Sequence, residues 1–172
     1  MPDLRPYDAR QDFEKVYASF VEIAAAGTSF AQEADLSRAE FELYWSGRGG
    51  EQWVACEGDV FLGAYTLRAN QPGRGGHVAT ATYLVSERAR GRGVGEALGL
   101  HSLERARALG FASMQFNLVV STNGPAVRLW QRLGFRIVGV LPEVFEHPEL
   151  GRVDAYVMFQ SLGAPSVQRP AS

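Results

Sequence analysis

The sequence is poor in the residues that mark secreted, membrane-bound or nucleic-acid-binding proteins. Cys56 is the single cysteine among 172 residues, so no disulfide can form within the chain and a reducing compartment is allowed. The 17 basic and 19 acidic side chains give a net charge of −2, which offers no general attraction to nucleic acid or anionic membranes. No apolar run approaches ~18 residues, and the first ten residues lack the apolar core of a signal peptide. We therefore expect a cytoplasmic protein without a nucleic-acid or membrane partner.

Lysine is almost absent as well. Lys15 is the one lysine among 17 basic residues. A P-loop needs a Gly-Lys-Ser/Thr sequence, so that nucleotide site is excluded. The remaining composition, 46% hydrophobic and 21% charged, is typical of a globular protein, and the length suits one domain. We assign this domain to residues 4–162 and expect a flexible tail over residues 163–172.

Hydrophobic periodicity and turn residues predict an interleaved series of helices and strands. The helices are predicted over residues 10–26, 37–44, 93–109 and 123–133, and the strands over residues 51–57, 60–68, 77–85, 113–120, 135–140 and 153–161. Ser37 and Glu40 have the spacing of a capping box at the start of the second helix. A loop containing Pro142, His147 and Pro148 is predicted between the last two strands. This pattern favours a layered α/β or α+β fold.

The strongest local signal is a basic, glycine-rich loop after the third predicted strand. Alternate glycines let the backbone approach a ligand closely, and the helix that follows presents unpaired N–H groups and its positive dipole end. A plain turn between strand and helix is the alternative. A dinucleotide fingerprint fails because Glu96 occupies the place of its third glycine. The candidate phosphate-binding residues are Arg90, Gly91, Arg92, Gly93, Val94 and Gly95.

Two motifs carry a resemblance to a known family. Arg90, Gly93 and Gly95 fit R-x-x-G-x-G, and residues 123–135 fit N-x-x-A-x-x-L-Y-x-x-x-G-F, except that Trp130 replaces the tyrosine. With these motifs in this order, the chain resembles the GCN5-related N-acetyltransferase (GNAT) family over roughly residues 4–162. The resemblance implies a mixed, mostly antiparallel sheet that is splayed into a V and flanked by helices. It also implies acetyl-CoA as co-substrate and no metal.

The resemblance further implies how the coenzyme is held. The pantetheine arm would lie in the V against the backbone of Leu84 and Val85, and the Val85 N–H would polarise the acetyl carbonyl. The backbone from Arg90 to Gly95 would bind the pyrophosphate. Asn123 would reach the coenzyme near its sulfur, or act simply as a helix N-cap. Trp130 would line the cofactor site.

This sequence lacks the tyrosine and the glutamate that often serve as general acid and general base in such enzymes. An indole cannot surrender a proton, so Trp130 cannot replace the usual tyrosine, and the third predicted strand lacks the usual glutamate. A water molecule held by Thr80, Asn117 or Ser121 is the remaining candidate for the general base that takes the proton of the amine. Together with the Val85 N–H, this makes Thr80 and Asn117 the candidate catalytic residues.

A narrower resemblance concerns the substrate. Residues 116–123, FNLVVSTN, are similar to a segment of fungal acetyltransferases that act on azetidine-2-carboxylate and other proline analogues. In that subgroup Asn117 would sit at the substrate, where its amide can bond a carboxylate. The alternative is a buried strand asparagine satisfied by neighbouring backbone. Thr80 replaces an asparagine of the fungal enzymes.

These observations favour an N-acetyltransferase that passes the acetyl group of acetyl-CoA to a small amine, amino acid or imino acid within a ternary complex. One alternative is a non-catalytic, GNAT-like module that senses acetyl-CoA, and another is a dinucleotide-dependent oxidoreductase. The three histidines lack metal-ligand spacing. A homodimer is allowed by the sequence.

Overall fold

Seven strands form one sheet, and helices cover both of its faces. The computed structural model describes residues 2–163, so all of the predicted tail after Gly163 lies outside the described residues. The helices are α1 (Ala9–Ala25), α2 (Arg38–Trp45), α3 (Val94–Ala108) and α4 (Gly124–Arg132). The strands are β1 (Asp3–Pro6), β2 (Glu51–Glu57), β3 (Val60–Ala69), β4 (Val78–Val85), β5 (Ser113–Val120), β6 (Arg136–His147) and β7 (Gly151–Ser161).

The sheet is mostly antiparallel, with one parallel pair at its centre. Its strand order is β1-β2-β3-β4-β5-β7-β6. The parallel pair, β4 with β5, is joined only at Val78–Ser113 and Ala79–Met114, after which the strands separate. The predicted mixed, mostly antiparallel sheet that is splayed into a V is therefore confirmed.

The two faces of the sheet carry separate cores. Val54, Ala64 and Leu84 pack beneath α1 and α2. Alternate residues of the same strands, among them Tyr65 and Ala79, pack on the opposite face beneath α3 and α4. Because strand side chains alternate between faces, the even-numbered residues of β4 share the α1–α2 face and the odd-numbered ones share the α3–α4 face.

Local signals in the sequence account for several helix ends. Ser37 and Glu40 form the predicted capping box, in which each side chain bonds the other residue's backbone N–H. Gly110, at φ +83°, follows α3 and adopts the left-handed conformation that ends many helices. Among the described residues no helix is both long and apolar enough to cross a membrane.

Two strands differ from the sequence prediction. β1 was not predicted, because it has four residues and no alternating pattern; it pairs with β2, and Arg5 within it bonds Asp12 of α1. The predicted loop around Pro142 is wrong, since β6 continues through it to His147. The strand register shifts between Leu141 and Phe145, and β6 lies at the sheet edge, where proline removes no ladder bond that is needed.

Candidate active site

The gap between β4 and β5 exposes backbone groups of β4. The N–H of Ser86 donates to Leu62 O (3.0 Å), and the N–H of Asn70 donates to Val78 O (2.8 Å). These two bonds fix which β4 residues face β3, because backbone direction alternates along a strand. The N–H groups of Tyr83 and Val85 consequently face β5. Since the ladder ends at Ala79–Met114, these N–H groups have no strand partner within residues 2–163.

Leu84 has a different place from the one predicted for it. By the same alternation its backbone N–H and C=O face β3 rather than the gap. Its side chain is fully buried in the core beneath α1 and α2. Leu84 therefore supports the strand, and Val85 and Tyr83 are the residues whose backbone is presented to a ligand in the gap.

The glycine-rich loop supplies a cluster of free N–H groups beside the open end of the gap. Arg90 N–H donates to Glu87 O and Arg92 N–H to Ala89 O, so these two are already engaged. The first bond of α3 runs from Ala97 N–H to Gly93 O. Between Arg90 and Glu96 in the described structure, the N–H groups left without an acceptor are those of Gly91, Gly93, Val94, Gly95 and Glu96. Such a group of N–H donors at a helix start suits an anion such as a phosphate.

The glycines of this loop act in two different ways. Gly91 and Gly93 have φ of +73° and +76°, with open space where a β-carbon would lie, so glycine is needed there for conformation. A β-carbon on Gly95 would lie 3.3 Å from Leu129 Cδ2. Gly95 therefore permits close approach of α3 to α4, while Gly91 and Gly93 shape the turn.

The loop arginines are not equivalent. Arg92 Nη2 bonds Glu57 Oε2 on β2 at 2.8 Å, and both side chains are largely exposed. An anion would have to compete with Glu57 for this guanidinium. Arg90 forms no ion pair within the described part of the chain, so it remains the predicted loop cation that is free to meet a phosphate.

An aromatic cluster forms the α3–α4 side of the gap. Trp130 packs on Tyr83 and Phe116, with ring centroids 4.6 and 4.8 Å apart, and only 8% of it is exposed. The Tyr83 hydroxyl bonds Ser102 Oγ at 2.7 Å, and burial raises the pKa of this phenol. Trp130 is thus a packing residue beside the gap between β4 and β5. Sequence reasoning missed the place of Tyr83 in this cluster, although its alternation with Leu84 was a signal for it.

Asn117 is held by other side-chain amides. Its Oδ1 accepts from Gln115 Nε2 (2.8 Å) and Asn70 Nδ2 (3.3 Å), and its Nδ2 donates to Asn70 Oδ1 (2.6 Å). The side chain is exposed, so the alternative of a buried asparagine bonded to backbone is wrong. One Nδ2 hydrogen is left for a ligand. No sequence motif around Asn70 predicts that its amide bonds Asn117.

Two of the three predicted catalytic residues, Thr80 and Val85, lie apart along β4. Thr80 lies near the closed end of the gap, buried opposite Arg68 of β3, whereas Val85 lies at the open end. β4 and β5 contain no Asp, Glu, His or Cys. In residues 2–163 no group of three such side chains is placed to hold a metal.

Asn123 acts as the N-cap of α4, which is one of the two roles predicted for it. Its Oδ1 accepts from the N–H of Ala126 at 3.3 Å and so caps α4. Pro125 follows in the first turn, where its missing N–H is not needed. A contact from Asn123 to a coenzyme stays a prediction.

Comparison with known proteins gives the family. The model of the acetyltransferase (GNAT) family matches residues 15–135. N-acetyltransferase aca1 of Schizosaccharomyces pombe is 39% identical over 97 residues, which cover 56% of this chain and 46% of that protein. Protein SPT10 of Saccharomyces cerevisiae is 42% identical over 82 residues, covering 48% of this chain and 13% of that protein. The chain therefore spans less than half the length of these curated relatives.

Solved structures extend the likeness to the whole fold. A GCN5-related N-acetyltransferase from Kribbella flavida has a TM-score of 0.88 and 39% identity, covering 92% of this chain and 96% of that one. A phosphinothricin acetyltransferase from Sinorhizobium meliloti, solved in complex with AcCoA, has a TM-score of 0.83 and 24% identity. The match covers 99% of this chain and 94% of that one. The second likeness shows the fold alone. The chain belongs to the GNAT family of acetyltransferases.

Proposed function

We propose that this chain transfers the acetyl group of acetyl-CoA to the amine of a small molecule or amino acid, by direct attack within a ternary complex. One observation carries the proposal: the open gap beside β4 ends at a loop and helix start with five unpaired N–H groups. A pantetheine arm can bond β4 like an added strand while its pyrophosphate lies at the start of α3. We place the activity in the cytoplasm, and a homodimer stays a prediction.

The chain's own groups suit the chemical step. The Val85 N–H would donate to the thioester oxygen and stabilise the negative charge that develops as the amine attacks. The new C–N bond forms, the C–S bond breaks, and the amine proton passes to water near Asn117. A thiol of pKa about 8.5 leaves readily as its thiolate, so no acid beside the sulfur is needed. Neither Trp130 nor the Ser102-bonded phenol of Tyr83 is suited to supply one.

A non-catalytic acetyl-CoA sensor is the second candidate. It is favoured by the lack of any carboxylate or imidazole on β4 and β5 and by the substitution of tyrosine by Trp130. Such a module would bind the coenzyme in the same gap without an efficient base. The two candidates differ in turnover rather than in binding.

A thiol-release assay tests the proposal. Acetyl-CoA is supplied with a panel of amines, imino acids, aminoglycosides and peptides, and coenzyme A thiol is measured with and without each acceptor. We expect release that depends on the acceptor and yields an N-acetylated product by mass spectrometry. Tight acetyl-CoA binding without turnover on the whole panel would support the sensor, and no acetyl-CoA binding would exclude both candidates.

A further inference from the structure

Arg68 is a partly buried cation that has no counter-ion within the part of the chain that the structure describes. Five ion pairs occur within residues 2–163, and none of them includes Arg68. Its guanidinium makes a long hydrogen bond, from Nη1 to Ala69 O at 3.4 Å. Burial lowers the pKa of this guanidinium, and nearby Arg48 lowers it further. A desolvated guanidinium is costly unless an anion pairs with it, so this position suits a ligand.

Arg68 lies on the face of the sheet opposite the cofactor features. It is the cross-strand neighbour of Thr80, and along the same strands Ala64 is the neighbour of Leu84. Ala64 and Leu84 pack beneath α1 and α2, so Arg68 and Thr80 project to that face as well. The start of α3 lies on the other face. An acceptor must approach the thioester from the face that the coenzyme leaves open, and Arg68 lies on this face.

The surroundings of Arg68 are polar and carry no negative charge from the strands. Thr66, two residues before it, has a buried hydroxyl without a hydrogen-bond partner among the described residues. Burial raises the pKa of the Tyr44 phenol, while a hydrogen bond with the Thr82 side chain and the nearby cations Arg68 and Arg48 act against that shift. β3 and β4 contain no acidic residue. Two cations and an unpaired hydroxyl thus border this face near the closed end of the gap.

We propose that Arg68 binds an anionic group of the acceptor, foremost a carboxylate, and thereby selects amines that also carry an acid. The planar guanidinium can hold both oxygens of a carboxylate, which fixes orientation as well as adding affinity. Arg48 adds a second positive charge, and Asn117 offers its remaining N–H. The inference rests on the proposed function, because it names the substrate class of the same site.

The test compares acids with their carboxamides. Amino and imino acids are assayed beside their carboxamides, with rates expressed per concentration of unprotonated amine. The wild-type protein should prefer the acids. Arg68→Gln should raise KM for acids about tenfold to a hundredfold, the value of a lost charge-assisted pair, and leave KM for carboxamides and Kd for acetyl-CoA unchanged. Arg68→Lys should give an intermediate KM, and Arg10→Gln, a change at an exposed arginine on α1, should have no effect.

Two outcomes would overturn the inference without touching the proposed function. One is equal wild-type kcat/KM for acid and carboxamide, which needs no variant. The other is an equal loss on both substrates in folded Arg68→Gln or Arg68→Lys. If no amine is acetylated, the proposed function fails. The binding of carboxylates to Arg68 is then tested separately, by calorimetry on the acetyl-CoA complex. Binding of carboxylates that is lost in Arg68→Gln would support it, and binding that is unchanged would refute it.

Discussion

At the scale of single residues, the two carboxylate–arginine pairs of α1 illustrate how burial decides what an ion pair contributes. Asp12 is completely buried, and both of its oxygens accept hydrogen bonds of 2.7 Å from Arg5. Glu14 makes a similar two-bond contact with Arg38, but both side chains are more than half exposed. Removing one partner leaves an uncompensated buried charge only in the first pair. The first pair also ties β1 to α1.

We expect Asp12→Asn to destabilise the fold in a pH-dependent way. Burial alone raises the pKa of Asp12, but the bonds from Arg5 and the Asp8 N–H outweigh it and lower the pKa. A lowered folded-state pKa means that the stabilisation is present above the unfolded pKa and is lost as pH falls through the folded one. The variant should lose about 3 kcal/mol near neutral pH, with the difference shrinking in acid.

Urea unfolding at a series of pH values measures this. Glu14→Gln is the matched control, and we expect no measurable change in its unfolding free energy because solvent screens the exposed pair. A difference between wild type and Asp12→Asn that stays constant down to about pH 3 would contradict the assignment of the shift to the Arg5 pair.

At the scale of elements, α3 matters through both of its ends, and a left-handed glycine flanks each. Gly93 precedes the first turn at φ +76°, and Gly110 follows the last turn at φ +83°. Within residues 2–163, no atom of a non-adjacent residue lies within 4 Å of the β-carbon position at either glycine. A β-branched residue should therefore cost similar strain at either end. Only the first end presents N–H groups beside the gap.

Gly93→Val and Gly110→Val should accordingly separate ligand binding from backbone strain. With acetyl-CoA at ~100 Kd, the wild type gains about 2.7 kcal/mol of apparent stability, which raises its Tm. We expect both variants to melt at a similarly lowered temperature, with the acetyl-CoA shift abolished only in Gly93→Val. An undiminished shift in folded Gly93→Val would remove the pyrophosphate assignment from this loop.

At the scale of the whole molecule, local patterns predicted the order of helices and strands after β1, whereas the contacts within the candidate site depend on residues far apart in the sequence. Capping and glycine signals act over a few residues, so the limits of α2 and α3 followed from the sequence. Asn70 and Asn117 are 47 residues apart, and the sequence around neither residue predicts the hydrogen bonds between their side-chain amides. The length of β6 depends on its edge position, which Pro142 alone could not reveal. The pairing of Arg92 with Glu57 likewise depends on tertiary packing.

The separation of β4 from β5 leads to a prediction about amide exchange across the molecule. The N–H groups of Tyr83 and Val85 face the gap, while those of Leu84 and Ser86 face β3. If acetyl-CoA lies in the gap as an added strand, it should protect the first pair and leave the second almost unchanged. At ~100 Kd the protection should approach about a hundredfold, because exchange then requires the ligand to dissociate.

Hydrogen exchange followed by NMR resolves these amides individually, and the four neighbouring residues serve as their own control. Faster global unfolding or tighter overall packing would change all four rates together, whereas a strand-like ligand changes alternate ones. Slowing of Val85 and Tyr83 alone is the expected result. Unchanged exchange at Val85 with acetyl-CoA bound would mean that the coenzyme does not use β4 as its partner strand, and the role of the Val85 N–H at the acetyl carbonyl would fall with it.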